Sequence, residues 1–146
     1  MSFNKGKNYQ RKRGKRLAKG QKGNSITFSW TKLDINQGQS IKEWEDEGLL
    51  SILCEMMRQV GQYESVQALS SQMIKQYTKV GFPPNSEFNE PKHVSPIYWA
   101  VIHIKPKSKE VVAGYLESDI FYIVFLDKEH KFWPSRNIQD KGKKRR

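Results

Sequence analysis

The positive charge of this chain is segregated to its two ends, and that confines any fold to the stretch between them. Residues 1–23 carry nine Lys or Arg and no acid, and residues 136–146 carry six bases against the single Asp140. Taking the +9 and +5 of these ends from the whole-chain +11 leaves residues 24–135 at −3. The basic character belongs to the tails and not to the part that folds. Residues 1–24 hold almost no large apolar side chain, so they bury too little surface to offset the entropy of ordering. The sequence therefore divides into a disordered basic arm over 1–24, a single domain over 25–135 and a disordered basic tail over 136–146.

Such tails gain affinity for a polyanion by releasing its condensed counterions, which makes nucleic acid the expected partner. The cations concerned are Lys5, Lys7, Arg11, Lys12, Arg13, Lys15, Arg16 and Lys19 in the arm, with Lys143, Lys144, Arg145 and Arg146 in the tail. Arms of Arg, Lys, Gly and Gln suit irregular single strands, and no DNA-reading helix is evident, so RNA or the ribosome is favoured over DNA. No apolar run approaches the ~20 residues that cross a bilayer, and the N-terminus lacks the apolar stretch of a secretory signal. A cytoplasmic protein without membrane contact is expected. The one cysteine, Cys54, falls within an apolar helical pattern and reads as a buried small hydrophobe.

Between the tails, Ile26, Phe28 and Trp30 alternate with Thr and Ser, the period of a half-buried strand. Ser40 and Glu43 then have capping-box spacing, and the apolar positions Ile41, Trp44, Leu49, Ile52, Leu53, Met56, Met57 and Val60 predict one helix ending at Gly61. A second helix is expected from about Ser65, with Val66, Leu69, Met73, Ile74 and Tyr77 on one face. Residues 82–96 hold four prolines and read as a long ordered loop, of the kind that is more often functional than not. Three strands follow, Tyr98 to Lys105, Val111 to Glu117 and Ile120 to Asp127, the last two joined by a tight Ser118-Asp119 hairpin. The last strand is apolar on both faces, which marks either a covered central strand or an interface. Lys131 to Trp133 reads as a last short extension. The expected class is α+β: one N-terminal strand, two helices, then an antiparallel three- to four-stranded meander, with the helices packed on one sheet face.

His93, His103 and His130 have no zinc-ligand spacing, and no Gly-rich phosphate loop, G-x-S-x-G elbow or H-E-x-x-H is present. Neither metal nor cofactor is expected. What remains is a polar group around the last strand: Tyr122 within it, Glu129, His130 and Lys131 just past it, and Arg136 beyond. Metal-free RNA cleavage needs a base for the 2′-hydroxyl, an acid for the leaving oxygen and cations for the phosphate. His130, Glu129 and Tyr122 have the chemistry of the base and the acid, Lys131 and Arg136 that of the cations. A solvated turn chosen for polarity accounts for the same residues. Lys105, Lys107 and Lys109 form a second basic edge, open to the same two readings.

The stretch from Phe82 to Arg136, with F-P-P-N-S-E-F-N-E-P-K-H, W-A-V-I-H-I and G-Y-L-E-S-D-I-F-Y-I-V-F-L-D-K-E-H-K-F-W-P, resembles a group of small uncharacterised bacterial proteins associated with mobile elements. In its order of elements the chain also resembles, more loosely, the RelE and YoeB toxin superfamily, which cuts mRNA on the ribosome. That resemblance implies a metal-independent endoribonuclease or ribosome-directed toxin with Tyr122, His130, Lys131 and Arg136 at its site, and a neutralising protein partner. Two other classes fit the same residues. One is a non-catalytic nucleic-acid-binding module whose tails supply affinity and whose core supplies protein contacts. The other is an interaction protein that forms a homodimer through Ile120–Leu126.

Overall fold

The computed structural model describes residues 24–134. Both basic ends, and Arg136 with them, lie outside the described residues. The strands are β1 (Thr27–Ser29), β2 (Lys75–Tyr77), β3 (Trp99–His103), β4 (Val111–Glu117) and β5 (Ile120–Asp127). The helices are α1 (Ile41–Asp46), α2 (Leu49–Val60) and α3 (Ser65–Ser70). The protein is α+β, with a five-stranded mixed sheet of order β1-β5-β4-β3-β2. β1 runs parallel to β5, and every other pair is antiparallel.

The meander forms where β-branched and aromatic residues flank a two-residue turn. β4 and β5 occupy the expected spans, and Ser118 and Asp119 between them both take positive φ (51° and 65°), the geometry of a two-residue hairpin turn. The expected strand at 131–133 is absent, and those residues form an irregular turn.

Of the two expected helices, the first is split and the second is cut short. The first is interrupted at Gly48, whose φ of 75° suits a residue without Cβ and separates α1 from α2. Ser40 caps α1, its Oγ accepting the Glu43 N–H at 3.0 Å. The second helix stops at Ser70 and not near Tyr77. Ser70 and Ser71 turn their hydroxyls back onto the Gln67 and Ala68 carbonyls, a local competition that weakens helix propagation. Lys75–Tyr77 leaves the helix to pair with β3 as an edge strand. Cys54 is exposed on α2 and not buried, because the stripe facing the sheet is Leu53, Met56 and Val60.

The sheet is covered on both faces. On one, Trp44, Leu53, Met56, Val60 and Ala68 from the helices pack with Ala100, Ile102, Val112, Phe121, Ile123 and Leu126. On the other, Trp99, Val101, Val111, Ala113, Val124 and Phe125 are covered by Phe82, Phe88 and Val94 of the Pro-rich loop and by Phe132 and Trp133. The loop is thus a covering layer. β5 lies between β1 and β4 with Phe121 and Ile123 to Leu126 buried, so the bare strand that a dimer through Ile120–Leu126 requires is not present. Of the two readings of that doubly apolar run, the central strand holds.

Candidate active site

In an antiparallel meander the first and third strands run the same way, so the ends of β3 and β5 meet at one end of the sheet. The register makes this explicit: His103 pairs with Val111, and Val111 pairs with Asp127. A β-bulge at Ala113/Gly114 leaves Val124 as an extra residue on β5, which puts Val124 and Phe125 on the same face and brings Asp127 into phase with Val111. Beyond these strand ends lie two turns, Ile104 to Glu110 and Lys128 to Lys131.

His103 is exposed at the end of β3, and its Nδ1 stands 2.7 Å from the Ser108 carbonyl oxygen. His130 is half-buried with φ 59°, and its Nδ1 stands 2.7 Å from the Trp133 carbonyl oxygen. A carbonyl only accepts, so each Nδ1 donates, and Nε2 is the ring nitrogen left free to exchange a proton. The ring centroids are 5.5 Å apart, inclined at 39°. Trp133 is itself held by stacking on Tyr77 of β2 at 4.7 Å. Burial, reinforced by the charge of Asp127, pushes the Tyr77 phenol up to about 12, so it remains protonated.

Asp127 is the buried carboxylate beneath this turn. It accepts the backbone N–H groups of Lys131 and Phe132, each at 2.8 Å, and so fixes the loop that carries His130. Burial raises its pKa against the opposing pull of those two N–H donors and of His130. With the folded value raised, the unfolded chain releases this proton first as pH rises from the ordinary carboxylate value. Stability then falls until the folded value is passed. The difference in unfolding free energy between the wild type and Asp127→Asn, measured in urea across this acidic range, is therefore expected to shrink as pH rises. A difference that grows with pH contradicts the raised value and means that the two N–H bonds outweigh burial.

The cations at this end divide into two sets. Lys128 bonds Glu43 of α1 and Glu47 at its C-terminal end at 2.9 and 2.7 Å, an interaction that raises its pKa and balances its charge with two carboxylates. Lys131 pairs with Glu129 at 3.2 Å, and this pairing holds the Glu129 carboxyl below its usual range. Lys105 and Lys107 are exposed and make no ion pair among the described residues. Lys109 lies near enough to Glu129 to add to its lowering. Beside His103, a groove of about 400 Å³ is lined by Met56, Met73, Ile102, Lys105 and Lys107.

The structure thus gathers His130, Glu129 and Lys131 with the basic edge Lys105, Lys107 and Lys109. Tyr122 is not among them: it stacks on Tyr115 at 5.0 Å, and it precedes Asp127 by about 16 Å of extended strand. Arg136 and the cations Lys5 to Lys19 and Lys143 to Arg146 lie outside the described residues. His93 bonds the Lys32 carbonyl at 2.8 Å, linking two surface loops. His103 and Asp127 are the members that sequence reasoning missed, although the meander it expected already implied that the ends of its first and third strands adjoin. Among the described residues no group of three or more His, Cys, Asp or Glu is placed to hold a metal ion, and no helix is long and apolar enough to cross a membrane. No protein-family model, no curated protein and no solved structure matches the chain.

Proposed function

We propose that this protein acts on RNA as a small metal-independent endoribonuclease, a ribosome-directed toxin of RelE-like type being the specific form of that reading. The observation that carries it is the placement of His130, with its Nδ1 anchored to the Trp133 carbonyl beside the turn that bears Lys105, Lys107 and Lys109. His130 serves in proton transfer, and the lysines balance charge on the phosphate. Arg136, two residues past the last described position, joins them by sequence alone. The basic ends add salt-sensitive affinity that is indifferent to sequence.

A second reading, binding without cleavage, is favoured by the commitment of two expected groups elsewhere: Glu129 to Lys131, and Tyr122 to Tyr115. The test is an end-labelled RNA incubated with the full chain, with and without ribosomes. Cleavage is expected, and the His130→Ala variant should be slower by about 100-fold or more, the usual size of a general acid–base contribution. A salt-sensitive gel shift with no cleavage overturns the enzyme and leaves the binding module.

A further inference from the structure

We propose that His103 is the second proton-transfer residue of this site, so that RNA is cut by transesterification at a phosphodiester held between the imidazoles of His103 and His130. The proposal rests on the reading of the protein as a metal-independent ribonuclease, and it assigns that site its substrate bond, its second catalytic residue and its product. One imidazole cannot both remove and deliver a proton in a single concerted step, so the chemistry requires a second group. Glu129 cannot be the acid, because Lys131 holds it ionised, and as a base its carboxylate is already engaged by that lysine at 3.2 Å. Tyr122 is stacked on Tyr115 further up the strand. Tyr77 stacks on Trp133, and burial keeps its phenol protonated.

His103 meets the requirement on geometry. It is exposed, its ring centre is 5.5 Å from that of His130, and its Nδ1 is committed to the Ser108 carbonyl just as that of His130 is to the Trp133 carbonyl. Catalytic hydrogen bonds reach about 2.6–3.2 Å, so two rings this close can both engage one phosphodiester. Imidazole is also the side chain present in both protonation forms near neutral pH.

In the reaction, Nε2 of one neutral imidazole takes the 2′-hydroxyl proton as the 2′-oxygen bonds to phosphorus. The bond from phosphorus to the 5′-oxygen breaks, and that oxygen receives the proton carried by the other, protonated imidazole. The products are a 2′,3′-cyclic phosphate and a 5′-hydroxyl. No water, metal or redox partner enters the balance. Lys105 and Lys107 are placed to offset charge on the non-bridging oxygens.

The test uses the full chain and the variants His103→Ala, His103→Asn and His130→Ala, with ribosomes if the wild type needs them. Asparagine keeps an N–H for the Ser108 carbonyl and removes the imidazole. Each variant is tried on ordinary RNA and on RNA whose scissile 5′-oxygen is replaced by sulfur, which leaves without needing a proton. On ordinary RNA every variant is expected to slow by about 100-fold or more, and the wild-type product should carry a cyclic phosphate. On the sulfur substrate, variants at one of the two histidines should regain near wild-type rates, and variants at the other should remain slow. Wild-type cleavage that persists undiminished in both His103 variants, or no recovery on sulfur at either position, overturns the pairing while the ribonuclease reading stands. Absence of cleavage by the wild type overturns the ribonuclease reading itself.

Discussion

Gly114→Ala is expected to lower the unfolding free energy by about 3 kcal/mol or more, the upper end of the usual cost of overpacking. An added methyl at this position would overlap the Tyr122 carbonyl oxygen and lie 3.2 Å from the Val124 nitrogen. Both are backbone atoms of β5, so no side-chain rotation relieves the clash. The close approach arises at the bulge, where Gly114 pairs with Ile123 while Ala113 pairs with Phe125. Alanine would gain about 0.4–1 kcal/mol from a less flexible unfolded chain, too little to reverse the sign. Urea unfolding followed by far-UV circular dichroism reads the loss, and a variant within about 0.5 kcal/mol of the wild type, the range of an innocuous surface change, would contradict it. The consequence reaches the site, because the bulge sets the phase in which Asp127 meets the turn bearing His130.

Trp99→Ala is expected to cost about 3–5 kcal/mol, the range for truncating a large aromatic in a core. Trp99 packs edge-on against Phe82 at 5.2 Å and lies 6.0 Å from Phe125 and 5.5 Å from Phe132. Its indole N–H also donates to Glu90 at 3.2 Å. One side chain therefore joins the sheet, the Pro-rich loop and the segment after β5. Removing it leaves a cavity next to Phe132, whose N–H is one of the two held by Asp127. Calorimetry should show a marked fall in melting temperature, with Trp99→Phe losing less because it keeps a ring in the cluster. Equal losses for the two variants would place the stabilisation outside the aromatic packing.

Elements governed by local pattern were the legible ones. β4 and β5 announce themselves by β-branched and aromatic residues around a two-residue turn, and each of those signals is carried within a few positions. β2 was not legible, because Met73, Ile74 and Tyr77 also fit a helical face, and what decides between the periods is the distant edge of β3. The parallel partnership of β1 with β5 is likewise a non-local fact, with Thr27 aligned to Ile120. The break at Gly48 leaves a single trace in the pattern, the step of five from Trp44 to Leu49, about 140° around a helix where a step of three or four keeps one face. The Pro-rich loop looked functional by its length, whereas Phe82, Phe88 and Val94 show it supplying a missing layer of core.

The candidate site was legible in the same uneven way. A polar run directly after an apolar strand pointed to Glu129, His130 and Lys131, and a charged turn pointed to Lys105, Lys107 and Lys109. Tyr122 is close to them only in sequence, because an extended strand separates residues by about 3.3 Å per position. His103 carries no local sign of the site, because its neighbour His130 is 27 positions away and is brought near only by the register of three strands. Asp127 read as the end of a strand, and its role depends on N–H groups that the chain folds back over it.

The most direct measurement is a nuclear magnetic resonance titration of the isotopically labelled full chain with an RNA made uncleavable by 2′-O-methyl groups. The expected result is that, within residues 24–134, the largest shifts fall on the imidazoles of His103 and His130 and on the amides of Lys105 to Lys109 and Glu129 to Lys131. Shifts confined to the basic ends, or centred on the opposite end of the sheet around Ile97 and Glu117, would contradict the assignment of this site to RNA.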